Sequence, residues 1–226
     1  MILDIHSHII PNVDDGSHDF EESLDMIRES VASGVTDIIA TPHHCKGRYE
    51  VSVETIKERF NKLVEAVKSN NIQVNLYLGQ EIYISRFESP FEMLDNGKFL
   101  TMNGQKVILI EFSMTHKPED FEDIIYNFSI RGYKVIVAHV ERYEWMTIDE
   151  IQYLRSEGAY IQVNSDSLVG KGKTFHEKHM AKKVFKKGLV DFIASDMHSF
   201  RRSHLALALK KFDKAHKLND PSIFGL

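Results

Sequence analysis

The chain has 226 residues, 42% of them hydrophobic and 27% charged, with a formal net charge of -5; this suits one single-core soluble domain and gives no general pull toward nucleic acid or an anionic membrane. A single cysteine, Cys45, excludes an intramolecular disulfide and a cysteine-rich zinc site, and it fits a reducing cytosol. The segment Met1-Ile2-Leu3-Asp4 lacks the basic region and apolar run of a signal peptide, and no apolar stretch approaches the ~20 residues that span a bilayer.

Short β-like runs alternate with longer amphipathic stretches. The first run, Ile2–His6, leads into Asp4-Ile5-His6-Ser7-His8. A helix is expected over Glu21–Ser33, with Leu24, Ile27 and Val31 in register and Gly34 as its stop. The run Ile38–Thr41 leads into Pro42-His43-His44, and a helix over Ser52–Lys68 carries Ile56, Phe60, Leu63 and Val67. Val74–Glu81 closes on Gly79-Gln80-Glu81, and Val107–Phe112 contains Glu111. Pro118 is expected to open a helix over Glu119–Arg131 that Gly132 closes. Val135–His139 runs into Val140-Glu141-Arg142, and a helix over Thr147–Glu157 follows. The last elements are the runs Tyr160–Asn164 and Phe192–Asp196 and the helices Thr174–Lys187 and His204–Lys217. Seven strands alternating with helices predict an α/β fold with parallel strands in a single domain over residues 1–226. A closed or distorted (β/α) barrel is the first choice, and an open doubly wound sheet is its rival.

Most of these strands end in residues that bind metals. In a parallel barrel all such ends share one face. His6 and His8, two apart on a strand, project to the same side and can share an ion. With His43, Glu81, Glu111, His139, Asp196 and His198 they form a nitrogen and carboxylate set that suits Mn, Fe or Zn better than Ca or Mg. A carboxylate such as Glu81 can bridge two ions, and a pair ~3.5–4 Å apart stabilises both attacking and leaving oxygens in phosphoryl transfer. Asp14-Asp15-Gly16 is good turn chemistry, and Asp15 is also a candidate ligand. His44 is expected to support the ligands or face substrate. His18, His116, His176, His179, His204 and His216 fall in loops or on helix surfaces and are read as ordinary surface residues.

The motifs Asp4-Ile5-His6-Ser7-His8, Val13-Asp14-Asp15-Gly16, Ala40-Thr41-Pro42-His43-His44, Gly79-Gln80-Glu81-Ile82, Leu109-Ile110-Glu111-Phe112, Ala138-His139-Val140-Glu141-Arg142 and Ala194-Ser195-Asp196-Met197-His198 closely resemble the polymerase-and-histidinol-phosphatase (PHP) superfamily. Within it they resemble the bacterial tyrosine-protein phosphatases of capsule and exopolysaccharide gene clusters, in the right order from Met1 to about Leu209. The resemblance implies a distorted seven-stranded barrel holding two or three ions, commonly Mn, with Fe, Co or Zn as alternatives. It implies His6, His8, Glu81 and Asp196 on one ion, Glu81, Glu111 and His139 on a second, and Asp15, His43 and His198 on a third. The implied substrate is phosphotyrosine in the Tyr-rich C-terminal tail of a cognate autophosphorylating tyrosine kinase, whose dephosphorylation regulates polysaccharide synthesis. Arg142 matches an arginine that contacts the phosphate. A second such arginine follows the Asp-x-His motif, where Arg201 and Arg202 are the candidates. The resemblance also implies a terminal helix that Pro221–Leu226 does not supply.

Three other readings of the residues compete: a small-molecule phosphatase acting, for example, on histidinol phosphate; a metal-dependent amidohydrolase; and a catalytically silent metal-binding partner of a kinase. Amidohydrolases typically add a carboxylated lysine, and no candidate strand ends in Lys. Thiolate chemistry is excluded by spacing: the commonest tyrosine phosphatases need Cys-x5-Arg, and the residue six beyond Cys45 is Val51.

Overall fold

A computed structural model of the chain describes residues 1–86, 89–200, 202–213 and 217–226; Arg201 and His216 lie outside this set. Nine strand segments are present among the described residues: β1 (Leu3–Ser7), β2 (Asp37–Ala40), β3 (His43–His44), β4 (Asn75–Leu78), β5 (Glu81–Tyr83), β6 (Val107–Glu111), β7 (Lys134–Val137), β8 (Tyr160–Asn164) and β9 (Phe192–Ala194). Their ladders are parallel and run β1-β2-β4 and β3-β5-β6-β7-β8-β9.

Two pairs of segments are single strands with a break. Gly79 N–H donates to Ala40 O at 2.8 Å and Glu81 N–H to Pro42 O at 3.1 Å, so hydrogen bonding continues from β2/β4 into β3/β5. Pro42 lacks an N–H and interrupts the first of these strands. Seven strands therefore result, as the sequence predicts, although two are split. The ring closes between β9 and β1. Ser7 bridges Met197 in parallel, Asp196 N–H donates to His6 O, and His8 N–H donates to Met197 O, both at 2.9 Å. This closure favours the barrel over the open sheet.

The β1/β9 seam is stitched further down by side chains. Asn219 Nδ2 donates to Leu3 O (3.0 Å) and Ile193 O (2.7 Å), and its Oδ1 accepts from Ile193 N–H (2.8 Å). Asp4 Oδ1 accepts from Ser195 N–H at 3.0 Å. These contacts supply partners for backbone groups that the distorted ladder leaves over.

Eight helices surround the strands among the described residues: α1 (Phe20–Ala32), α2 (Val53–Ser69), α3 (Pro90–Asp95), α4 (Phe121–Ser129), α5 (Ile148–Ser156), α6 (Ser165–Val169), α7 (Phe175–Lys186) and α8 (Leu205–Phe212). Side-chain caps set several starts: Asp19, Ser52, Ser89 and Thr174 accept from the third residue of their helices, and Thr147 forms a capping box with Glu150. Two expected boundaries move. Residues 118–120 form a turn, with Phe121 N–H donating to Pro118 O, so Pro118 precedes α4 and does not open it. Helix α8 stops at Phe212, because Asp213 leaves helical geometry and its carboxylate accepts from the N–H groups of Lys217 and Leu218. None of the described helices is long and apolar enough to cross a membrane.

The core has two compartments. The larger lies between strands and helices and includes Ile38, Ile110, Phe128 and Ile151. The smaller joins Leu3, Ile5, Ile39, Leu109, Ile136 and Phe192 from several strands, with Met102 and Phe224 from two 3-10 turns. Met102 packs so closely on the strand break that a Cβ at Gly79 would lie 2.6 Å from its sulfur. An apolar plug thus fills this part of the barrel and leaves polar residues to the mouth at the strands' C-terminal ends.

Candidate metal centre

A local irregularity aims the first strand. Register between β1 and β2 runs from Asp4↔Ile38 to Ser7↔Ala40, three residues against two. Such a bulge reverses the strand's side-chain parity. Ile5 therefore packs in the inner apolar cluster, while His6 and His8 both turn to the mouth. The next strands carry their ligands in register, with His43 paired to Glu81 and Glu111 paired to Tyr83. His139 follows β7, and Asp196 and His198 follow β9.

These residues meet. Glu81, fully buried, has Oε2 at 3.0 Å from His6 Nε2, 3.3 Å from His8 Nε2 and 3.0 Å from His43 Nδ1, and Oε1 at 3.0 Å from His139 Nε2. Asp196 Oδ1 lies 3.6 Å from both His6 Nε2 and His8 Nε2 and 3.3 Å from His198 Nδ1. Glu111 stands 3.6 Å from His43 Nδ1 and from His139 Nε2. Asp15 closes the outer edge at 3.5 Å from His43 Nε2 and 3.7 Å from His198 Nε2. All nine candidate ligands therefore form one continuous cluster. Its tight subsets are His6/His8/Glu81, His43/Glu81/Glu111 and His8/His43/His198. This grouping places His43 beside Glu81 and Glu111, and His8 beside His43 and His198, so it cuts across the division among ions that the resemblance implies.

Hydrogen bonds behind the cluster show what it is built to hold. Gln162 Oε1 accepts from His139 N–H at 2.8 Å, which fixes the orientation of this amide. His6 Nδ1, 3.2 Å from the same oxygen, must then carry the proton. His8 Nδ1 donates to Asp14 Oδ2 at 2.7 Å. In the neutral rings both Nε2 atoms are then lone pairs, 3.1 Å apart and facing the carboxylates. Two imidazole lone pairs and several carboxylate oxygens converge with no donor between them. A divalent cation satisfies all of them at once, and the His/carboxylate donor set fits Mn, Fe or Zn.

Charge states follow the same crowding. Burial disfavours the imidazolium of His6, but Glu81 and Asp196 outweigh it and raise its pKa. Burial likewise opposes protonation of His8, and Asp14 and Glu81 overcome it, raising its pKa well above the usual value. Burial pushes His43, His139 and His198 down to about 4. It also raises Glu111 well above the carboxylate range, with neighbouring Glu81 adding to the effect. A bound cation competes with those protons and favours the ionised carboxylates.

Two candidate ligands sit in left-handed backbone, His139 at φ 30 and Asp196 at φ 50. Such strain in a non-glycine residue persists only where surroundings enforce it. Here Gln162 holds His139 N–H and His6 O holds Asp196 N–H.

Sequence reasoning missed the supporting residues. Asp14, read as a turn residue, also accepts from His43 N–H at 2.9 Å, so one carboxylate orients two ligand-bearing segments. Gln162 Nε2 donates to Asn164 Oδ1 and Asn164 Nδ2 to Asp196 Oδ2, both at 2.8 Å. The available signal was a pair of polar residues two apart on an otherwise apolar strand.

The arginines and His44 have different placements. Arg142 Nη1 donates to Asp196 Oδ2 at 3.0 Å, and its guanidinium lines the cleft on both sides of the cluster. His44 is buried one residue beyond His43, so strand alternation turns it to the other face, within electrostatic reach of Glu50. Arg202 is exposed, and Arg201 is outside the described residues.

Comparison with known proteins bears on this cluster. The sequence profile of the family described as Capsular polysaccharide synthesis, CpsB/CapC, matches residues 2–218. Tyrosine-protein phosphatase YwqE of Bacillus subtilis (strain 168) is 34% identical over 218 residues, covering 94% of this chain and 84% of its own. A chain from the crystal structures of YwqE from Bacillus subtilis and CpsB from Streptococcus pneumoniae, metal-dependent tyrosine phosphatases, superposes with a TM-score of 0.87. It is 32% identical, and the match covers 99% of this chain and 91% of the other. Histidinol phosphate phosphatase from Lactococcus lactis shares the fold alone, with a TM-score of 0.64 at 14% identity over 96% of this chain and 94% of that one.

Proposed function

The chain belongs to the CpsB/CapC family of capsular polysaccharide synthesis, and from that premise we propose that it is a cytoplasmic, metal-dependent tyrosine-protein phosphatase acting on a cognate autophosphorylating tyrosine kinase and so regulating capsular and extracellular polysaccharide synthesis. The observation that carries this reading is the convergence of the Nε2 lone pairs of His6 and His8 on Glu81 and Asp196 at the barrel mouth. In this reading residues 1–226 act as one domain. His6, His8, Asp15, His43, Glu81, Glu111, His139, Asp196 and His198 hold two or three ions, Mn foremost.

When bound, such ions lower the pKa of water and neutralise charge on phosphoryl oxygens. The rest falls to the chain's own side chains. Arg142, raised in pKa by the carboxylates around it although burial opposes its charge, remains a cation at the cleft. Its planar fork can grip two phosphoryl oxygens. Asp14, Gln162 and Asn164 keep the ligand side chains in their working orientations. Buried neutral His43 and His198 leave their ring nitrogens to donate electron pairs. A phenol leaving group, of pKa ~10, departs more readily than an alcohol. The natural substrate in this reading is the Tyr-rich C-terminal tail of the kinase.

The test is phosphate release, with added Mn, from a phosphotyrosine peptide beside a phosphoserine peptide and histidinol phosphate. We expect the highest kcat/KM on phosphotyrosine. Preference for histidinol phosphate would move the protein to small-molecule metabolism.

A further inference from the structure

The cleft has two unlike halves on either side of Arg142. One is lined by Asn164, Asp166, Ser167, Lys171, Lys173 and Glu177, with no large apolar side chain among its described residues. The other, of about 480 Å³, includes Cys45, Arg48, Tyr49, Tyr83, Phe112 and Met114, with His43, Glu111 and Arg142 at its base. Among the described lining residues, Tyr, Phe and Met occur in this second half alone.

The fold places those groups just beyond the candidate ligands. On β5, Tyr83 is two residues past Glu81, so it points to the same side and stands one step further out. Residues 45–49 form a tight hairpin directly after β3 (His43–His44). Cys45 N–H donates to Tyr49 O at 2.9 Å and Tyr49 N–H to Cys45 O at 2.8 Å. The hairpin lays the Tyr49 ring nearly parallel to His43, with centroids 5.5 Å apart at 11°. It also sets the Arg48 guanidinium 4.9 Å above the Tyr49 ring. These contacts hold the Tyr49 ring in place where it lines the cleft. Edge-to-face contact is a preferred aromatic geometry, and a thioether such as Met114 adds favourable contact with a ring.

We infer that the half-cleft formed by Tyr49, Tyr83 and Met114 is an aryl subsite that receives the ring of the phosphate ester, so that it selects aryl over alkyl phosphates. The inference rests on the proposed phosphatase function and adds a location and a selecting surface to it.

Calorimetric titration of the Mn-loaded full chain with phenylphosphonate and methylphosphonate tests this without turnover. The parent should bind phenylphosphonate about tenfold more tightly, the equivalent of ~1.4 kcal/mol. Tyr83→Ala and Met114→Ala should each cut that preference several-fold while methylphosphonate affinity and Mn content hold. Tyr49→Ala should do the same, with Tyr49→Phe restoring the preference, and Lys171→Ala should leave it unchanged. Equal affinities in the parent, or a preference that survives both Tyr83→Ala and Met114→Ala, would overturn the aryl subsite alone. If neither phosphonate binds the loaded protein, the phosphatase reading falls and the subsite with it.

Discussion

Asp14 Oδ2 lies 2.7 Å from Nδ1 of His8, and this contact decides which nitrogen of His8 faces the metal cluster. The carboxylate is side-chain buried and held at about 2: burial opposes its charge, but the His8 ring and its hydrogen bond prevail. A histidine backed by a carboxylate is a better and better-aimed ligand.

Asp14→Asn keeps the volume and removes the charge. Mn affinity should fall about 10–100-fold, the range for outer partners of ligand histidines. Circular dichroism and melting of the metal-free protein should change little. Unaltered Mn affinity, measured by competition with a chelating dye, would show that Asp14 serves only the turn.

Gly16 sits where no side chain fits. A Cβ there would lie 2.1 Å from His8 O and 2.5 Å from His8 Cβ. Since Ser17 N–H also donates to His8 O, Gly16→Ala should push the 14–17 turn off β1. We expect a loss of about 1–3 kcal/mol, as for overpacking, together with weakened Mn binding. A variant with parental melting temperature and metal content would refute this close packing.

Arg142→Lys retains a positive charge near Asp196 but loses the planar fork. kcat/KM on a phosphotyrosine peptide should drop by at least tenfold while Mn content and melting temperature hold. A variant that unfolds or sheds metal would make Arg142 a structural partner of Asp196, whose Oδ2 it already meets at 3.0 Å.

His139 gives a pH signature in the metal-free protein. Burial, with Arg142 adding to it, depresses the folded pKa to about 4 from an ordinary 6.5. A depressed pKa means that the unfolded chain takes up the proton first. The stability contributed by neutral His139 is therefore full above pH ~6.5 and is lost as pH falls through about 4, on the order of 3 kcal/mol in all. His139→Asn tolerates the left-handed backbone and removes this titration. In urea unfolding, its stability deficit relative to the parent should shrink between pH 7 and pH 4. A constant deficit would contradict the depressed pKa.

The candidate ligands other than Asp15 were legible because each lies at or just past the end of an apolar run. Val135–Val137 and Phe192–Ala194 are buried strands, and His139, Asp196 and His198 follow them. The alternation of strands and helices put a barrel ahead of an open sheet, but the contacts that close it were not legible, because Met197 and His8 pair from nearly opposite ends of the chain. Nor was the bulge in β1, since a register slip leaves no mark in an apolar pattern. Asp14 was hidden by its local chemistry: Asp-Asp-Gly makes a turn whether or not one carboxylate also reaches a histidine. Short helices such as α3 and α6 carry too few turns for a helical period to show.

In the proposed function, the converging lone pairs of His6, His8, Glu81 and Asp196 hold the ions on which phosphotyrosine hydrolysis depends. The direct measurement is phosphate release from a phosphotyrosine peptide by protein stripped of metal and verified by elemental analysis, before and after Mn is restored, beside the His6→Ala variant. We expect no turnover when stripped, recovery with Mn, and joint loss of metal and activity in His6→Ala. Undiminished turnover by the verified metal-free protein would contradict the proposed function.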